Sequence, residues 1–212
     1  MNYWLFELVN GVARATPWLH PLIVGYATYG VVVFAGLLVA GWWSARRVGS
    51  VRRMAATLCA GVATLVAVAV NQPIVDGVRE PRPYTAHPHV LVLAHRSADF
   101  SFPSDHAVMA GAVAAGLWFA ARALAATAAV AALLMAFSRV YIAAHYPGDV
   151  VAGLLFGALV ALACYALAGR PLAGAVRTLT ATRLRVAVVA RASTGESARR
   201  AGVTWADQRR GG

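Results

Sequence analysis

Asp99 to His106 reads Asp-Phe-Ser-Phe-Pro-Ser-Asp-His, and Ser138 to Asp149 reads Ser-Arg-Val-Tyr-Ile-Ala-Ala-His-Tyr-Pro-Gly-Asp. Two apolar runs lie between these polar ends, and Arg122 is the one charged residue between Ala107 and Phe137. Each run approaches the roughly 20 apolar residues that a membrane-spanning helix needs. A hairpin of two spans returns the chain to the face it left, so the polar ends meet on one side. Composition agrees. The 212-residue chain is 60% hydrophobic and 13% charged, where soluble domains are about 45–50% apolar and about 25% charged. Mean hydropathy is +0.64.

The pattern continues on both sides. Pro21–Trp43 and Met54–Val75 are predicted spans upstream, and Asp149–Leu167 is one downstream. Tyr26, Tyr29, Trp42 and Trp43 can anchor the first span at the membrane boundaries. With Asp105–Ala121 and Leu124–Ala144, the prediction is an all-α integral membrane helical bundle of about five transmembrane helices. Met1–Leu19 is aromatic and interrupted by Glu7 and Arg14, which predicts an N-terminal interfacial helix. It lacks the basic n-region and small-residue cleavage site of a signal peptide. Ser44–Arg53 reads as a short basic loop. Asp76–Pro103 is a long loop holding Pro81, Pro83, Pro88, His87, His89 and His95. Its Val90–Leu93 insert predicts that it is ordered or dips into the membrane. Residues 1–170 thus form a membrane-embedded domain. Residues 171–212 form a basic tail, part surface helix and part disordered.

The net charge is +11, and every basic residue is arginine. Nucleic-acid binding is one meaning of such a charge. The distribution excludes it: nine arginines fall between Arg170 and Arg210, and Arg46, Arg47, Arg52 and Arg53 cluster between two spans. Those are the positions of a topology signal in an inner (plasma) membrane. If they face the cytoplasm, five spans place Arg122 and the tail there too. The 76–103 loop and the 138–149 turn then share the outer face. Membrane lipids are the expected partners, with anionic inner-leaflet lipid against the tail. Cys59 and Cys164 lie in apolar runs and read as buried thiols, without a disulfide framework or a metal set.

The candidate chemistry collects at the polar ends. Ser104 is a predicted N-cap of the third span, with His106 in its first turn. A helix N-terminus suits a phosphate, although a plain cap and an interfacial histidine would read the same. Ser138, Ile142 and His145 share a face if the fourth helix runs on to Ala144. Pro147 and Gly148 then break it, and Asp149 becomes the N-cap of the fifth span. His145 and Asp149 can meet across that corner. A carboxylate that keeps one ring nitrogen protonated leaves the other free to attack. A helix cap and a surface histidine are the simpler alternative. Arg139 weakens it, because an arginine near a span is costly without a partner or ligand. Arg82 sits between Pro81 and Pro83, which fix its backbone, and a guanidinium matches phosphate with paired hydrogen bonds. Arg79 is a solvated loop arginine or a second phosphate ligand.

Arg82-Pro83, then Pro103-Ser104-Asp105-His106, then Ser138-Arg139 with His145 and Asp149 following, resembles the three-part signature of the type 2 phosphatidic acid phosphatase superfamily. The match covers about a third of the chain. The resemblance implies a helical, metal-independent lipid phosphatase without a cofactor, acting on a lipid phosphate or diphosphate. By it, His145 is the nucleophile, Asp149 orients it, and His106 protonates the leaving oxygen and later activates water. Arg82, Ser104 and Arg139 hold the phosphate oxygens. There is one departure. The family's lysine, seven residues before the arginine of Arg-Pro, is Val75 here, and Arg79 is the candidate substitute. Most members carry Gly at Asp105; the Asp form resembles the branch that dephosphorylates undecaprenyl diphosphate. Phosphatidic acid, phosphatidylglycerophosphate and other prenyl phosphates are the alternatives within the class. Outside it stand a non-catalytic binder or transporter of anionic lipid, and a vanadate-dependent haloperoxidase.

Overall fold

The computed structural model describes residues 2–183 and 185–188. Its regular elements are helices: α1 (Asn2–Ala15), a 3-10 turn (Pro17–Leu19), α2 (His20–Tyr29), α3 (Val31–Val48), α4 (Val51–Val78), α5 (Pro83–Ala86), α6 (Asp105–Leu117), α7 (Arg122–Tyr141), α8 (Pro147–Thr180) and α9 (Arg185–Val188). Helices α3, α4, α7 and α8 are long and apolar enough to cross a membrane, and α6 is a shorter apolar helix. At 1.5 Å per residue, α4 is about 42 Å long, α8 about 51 Å and α6 only about 20 Å.

The short α6 is the centre of the bundle and packs against α3, α4, α7 and α8. Ala107, Val108, Ala110, Ala112, Val113 and Leu117 are all within 1% of full burial. Its contact with α8 is made by main chain. A Cβ added at Gly157 would lie 1.9 Å from the Val108 carbonyl oxygen, and one at Gly111 would lie 2.2 Å from that of Leu154. Gly153 faces Ser104 and Ala107 in the same seam, and Gly116 meets Ala60 of α4. Small residues that let backbones touch are the usual device for packing helices where lipid removes the hydrophobic drive between them.

Several element boundaries differ from the sequence reading. The first span, Pro21–Trp43, is two helices divided at Gly30, where α2 leans onto α7: the Tyr26 hydroxyl donates to the Ala131 carbonyl at 2.8 Å, and Gly30 sits against Met135. The predicted loop over Ser44–Arg53 shrinks to Gly49 and Ser50. Gly49 closes α3 in the left-handed conformation (φ 67°), and Ser50 caps α4 by accepting from the Arg53 amide. The four arginines therefore sit on the facing last and first turns of two helices. The spans predicted as Met54–Val75, Asp105–Ala121, Leu124–Ala144 and Asp149–Leu167 are α4, α6, α7 and α8. Of these, α6 and α7 end about three or four residues early, while α8 runs through Pro171 to Thr180. Residues 171–180 continue that helix, and residues 189–212 of the predicted tail lie outside the described residues.

The Val90–Leu93 insert is ordered and packs inward. Val90 joins Phe6, Val140 and Tyr146, while Leu91 and Leu93 join Ala13, Tyr141 and Ile142.

Candidate active site

The C-terminal end of α4, the 79–104 segment, the start of α6 and the α7–α8 corner converge on one cavity of about 660 Å³. Arg82, His106, Arg139 and His145 line it together with Asp99 and Asp105.

His145 is placed by the corner, not by a helix face. Helix α7 stops at Tyr141, so the predicted helical register of Ser138, Ile142 and His145 does not extend to the histidine. Ala143 takes a left-handed conformation (φ 65°), and the amides of Ala144 and His145 both donate to the Arg139 carbonyl, at 3.0 and 3.3 Å. Helix α8 then starts at Pro147 with Tyr146 as N-cap. Asp149 is at the third helical position, not at the cap expected of it. From there its carboxylate accepts from the Tyr146 amide at 2.8 Å, and the Ser101 hydroxyl donates to the same oxygen. Asp149 is fully buried, and its other oxygen has no protein partner.

These bonds fix the tautomer of His145. Arg82 Nη1 lies 3.2 Å from Nε2 and can only donate, so Nε2 accepts. The ring proton is therefore on Nδ1, which donates to the Ser101 carbonyl at 2.8 Å. The Asp149 carboxylate is 3.6 Å from Nδ1, within ion-pair reach but too far for a hydrogen bond. Burial lowers the pKa of His145 below its ordinary value; Asp149 opposes the shift, and the Arg139 and Arg82 charges reinforce it.

Arg82 is buried and bridges the loop to the corner. It meets Asp99 through Nη2 at 2.9 Å and Nε at 3.2 Å, and Nη1 also donates to the Ala144 carbonyl at 3.0 Å. Burial raises the pKa of the Asp99 carboxyl, but hydrogen bonds from Ser97 and Arg82 outweigh it and hold the group below its usual range. The Ser101 amide donates to the Glu80 carbonyl at 2.8 Å and ties the two ends of the loop together. Arg139 Nη1 donates to the Ala27 carbonyl at 3.3 Å, and its buried Nε has no protein acceptor. Ser104 stands at the N-cap of α6, yet its hydroxyl makes no capping bond and is buried without a partner. Asp105 is held by the side-chain amides of Asn71 (2.7 Å) and Gln72 (2.9 Å) at the end of α4.

Comparison with known proteins assigns the family. The family model described as PAP2 superfamily matches residues 56–171. The chain belongs to the PAP2 superfamily. Undecaprenyl-diphosphatase BcrC of Bacillus subtilis (strain 168) is 31% identical over 160 residues, covering 76% of this chain and 80% of that protein. The putative undecaprenyl-diphosphatase YbjG of Escherichia coli (strain K12) is 29% identical over 164 residues, covering 74% and 77%. The crystal structure of a PAP2 type phosphatidylglycerolphosphate phosphatase from Bacillus subtilis has the same fold, with a TM-score of 0.58 over 80% of this chain and 88% of that one at 19% identity. This PAP2 chain is an integral membrane protein and a phosphatase.

Of the predicted residues, Arg82, His106, Arg139 and His145 line the cavity, Ser104 and Asp149 are buried behind it, and Arg79 is not among its lining residues. It ends α4 in a left-handed conformation (φ 52°), its Nε donates to the Asp76 carbonyl at 3.0 Å, and its guanidinium lies 6.0 Å from the Phe100 ring centre. Val75, in place of the family lysine, does line the cavity. Asp99 and Ser101 are the residues that sequence reasoning missed. A buried arginine such as Arg82 needs an acceptor, and Asp99 is one of three carboxylates, with Asp76 and Glu80, that the same loop offers.

Helix α1 also supports the PAP2 site. The buried Asn10 side chain donates to the Leu91 carbonyl at 2.8 Å and accepts from the Leu91 amide at 3.0 Å, as a strand neighbour would. Arg14 donates to the His89 carbonyl, and Asn2 accepts from the Gly148 amide at 2.8 Å. Helix α1 thereby ties the 87–94 loop to the start of α8. Asn10→Ala leaves both Leu91 groups unpaired, at about 1–3 kcal/mol. It is expected to lower the melting temperature in detergent and to expose the 87–94 loop to protease before the helices.

Proposed function

We propose that this PAP2 phosphatase hydrolyses a polyprenyl diphosphate, undecaprenyl diphosphate in the first instance, at the outer face of the inner membrane through a phosphohistidine on His145. The observation that carries the mechanism is the fixed tautomer: Nδ1–H is anchored on Ser101, and the Nε2 lone pair stands at a cavity that Arg82, Arg139 and His106 share.

Nε2 attacks the terminal phosphorus, and the bond from phosphorus to the bridging oxygen breaks. His106 gives its proton to that oxygen, so the lipid leaves as a monophosphate. His106 then takes a proton from water, which attacks the phosphohistidine and restores Nε2 with release of phosphate. Arg82, Arg139 Nε, Ser104 Oγ and the first amides of α6 supply hydrogen bonds to the non-bridging oxygens, where positioning and charge stabilisation do most of the catalytic work. Asp149 and Ser101 orient the imidazole. The donors are cationic or neutral, and among the described residues no group of three or more His, Cys, Asp or Glu is placed to hold a metal ion.

The BcrC and YbjG relatives support the diphosphate. The arginines support the sidedness: Arg46, Arg47, Arg52, Arg53 and Arg122 lie at helix ends away from the cavity, and Arg170 and Arg177 lie in the last third of α8, where positive charge marks the cytoplasmic side. The test is phosphate release by purified protein in detergent with chelator present, comparing undecaprenyl diphosphate, phosphatidic acid and phosphatidylglycerophosphate. Preference for the diphosphate with chelator-insensitive turnover is expected. Loss of turnover on chelation would overturn the metal-free route, and preference for phosphatidic acid the substrate.

Arg82→Ala and Arg139→Ala are each expected to cost about 100- to 1,000-fold in kcat. Arg79→Ala, which removes a side chain outside the cavity, is expected to cost less than about tenfold on the same reasoning. The nucleophile is the neutral form of His145, and burial and the neighbouring arginines hold its pKa below the ordinary histidine value, so half-protonation falls below pH 6.5. The acid limb of kcat/KM is expected there, and a limb centred above that value would assign it to another group.

A further inference from the structure

We infer that the end of the bundle opposite the active site carries a second anion site, for the phosphate of a membrane phospholipid of net negative charge, between α8 and the first turn of α4. The inference is independent of the substrate assignment. A cavity of about 520 Å³ lies there, and Arg52, Arg170 and Arg177 line it. Its remaining wall is Tyr165, Gly169 and Ala173, which with Arg177 follow one another at four-residue steps along α8 and so form one stripe. The Tyr165 ring lies along the helix at Gly169 and stacks on Phe119, with centroids 3.8 Å apart and planes at 9°.

No described carboxylate compensates this charge. The described ion pairs are Arg82–Asp99 and His145–Asp149, so none of the three arginines has a described carboxylate within pairing distance. Of the described acids, Asp76, Asp99, Asp105 and Asp149 belong to the catalytic cavity or its corner, Glu80 to the loop beside it, and Glu7 to α1. Arg52, Arg53 and Arg122 also line an adjoining hollow. Arginines that served only as a topology signal would be splayed into water. Here three of them surround a concavity floored by an aromatic ring and small residues, the geometry in which guanidinium forks meet phosphate oxygens.

The surroundings favour a lipid source. The neighbouring α8 row of Arg170 and Ala166 continues one turn deeper to Leu162, which is 44% exposed. A ligand with phosphate at the arginines and an acyl chain along Leu162 uses both halves, whereas a soluble phosphate uses one. Basic hollows between transmembrane helices are suited to anionic headgroups.

The test uses full-length protein in detergent, read by native mass spectrometry and thermal unfolding with phosphatidylglycerol, phosphatidylcholine or glycerol phosphate added. Retention of phosphatidylglycerol and a raised melting temperature are expected, with phosphatidylcholine doing neither. Arg170→Gln with Arg177→Gln is expected to weaken retention at least tenfold, while Arg139→Gln in the catalytic cavity leaves it unchanged. Arg170→Lys, which keeps the charge but loses the fork, is expected to fall between and guards against misfolding of the double variant. Equal retention by the double variant, or equal binding of phosphatidylcholine, overturns the site. Glycerol phosphate stabilising as much as the lipid overturns the lipid assignment.

Discussion

His145→Ala is expected to abolish turnover, by about four orders of magnitude or more, as removal of an attacking group does in other enzymes that form covalent intermediates. The size of the effect follows from the division of labour at the corner. Arg82, Arg139 and the α6 amides can still bind and polarise a phosphate, but no other described nitrogen with a lone pair is fixed by both of its ring neighbours as Nε2 is. Two measurements separate this from a folding defect. The variant should melt within a few degrees of the parent. Rapid quench of the parent with a labelled substrate should trap an acid-labile, base-stable adduct that the variant lacks. Residual turnover above about 1% of the parent would remove the nucleophile from the proposal.

Gly157→Val is expected to give the largest loss of stability of any single substitution in the bundle. Its first side-chain atom would start 1.9 Å from a main-chain oxygen of α6, and no rotamer change can move that oxygen. Overpacking usually costs about 1–3 kcal/mol, and this site should lie at or beyond the upper end, because a helix rather than a side chain must yield. Activity should fall first, since α6 carries Ser104 and His106 while α8 carries Asp149. Gly157→Ala should show the same order of events at smaller size. Leu159→Ala, on the lipid-facing side at 63% exposure, should change little and serves as the control. Thermal unfolding and phosphate release on the three variants check this, and a Gly157→Val protein that melts with the parent would contradict the main-chain contact.

Hydropathy made the apolar runs legible, and the polar residues between them marked one end of the bundle as chemical. Helix ends were harder. The run from Val140 to Ala144 is apolar throughout, yet α7 stops at Tyr141 because Ala143 turns left-handed, a conformation usually announced by glycine. The opposite signal was present at Pro147. A proline favours the first helical position, so α8 begins two residues before Asp149, and the carboxylate moves from cap to inner turn. Gly30 alone could not reveal that α2 bends onto α7, since that depends on the Tyr26 hydroxyl and Met135. Arg79 shows how proximity in sequence differs from proximity in the fold. One helical turn from Val75 is close in sequence, but past the end of α4 the chain has turned the side chain toward Phe100.

The brevity of α6 has a consequence for the sidedness of the proposed reaction. Its polar head, Asp105 and His106, opens onto the cavity, while from Ala110 to Leu117 the helix is sealed among its neighbours with Ala110, Ala112, Val113 and Leu117 at 0–1% exposure. If the proposed reaction runs in this cavity, headgroup and water meet sealed helix beneath the phosphorus, and orthophosphate leaves by the mouth through which the headgroup entered. The reaction is then one-sided, and the lipid product remains in the leaflet that delivered the substrate.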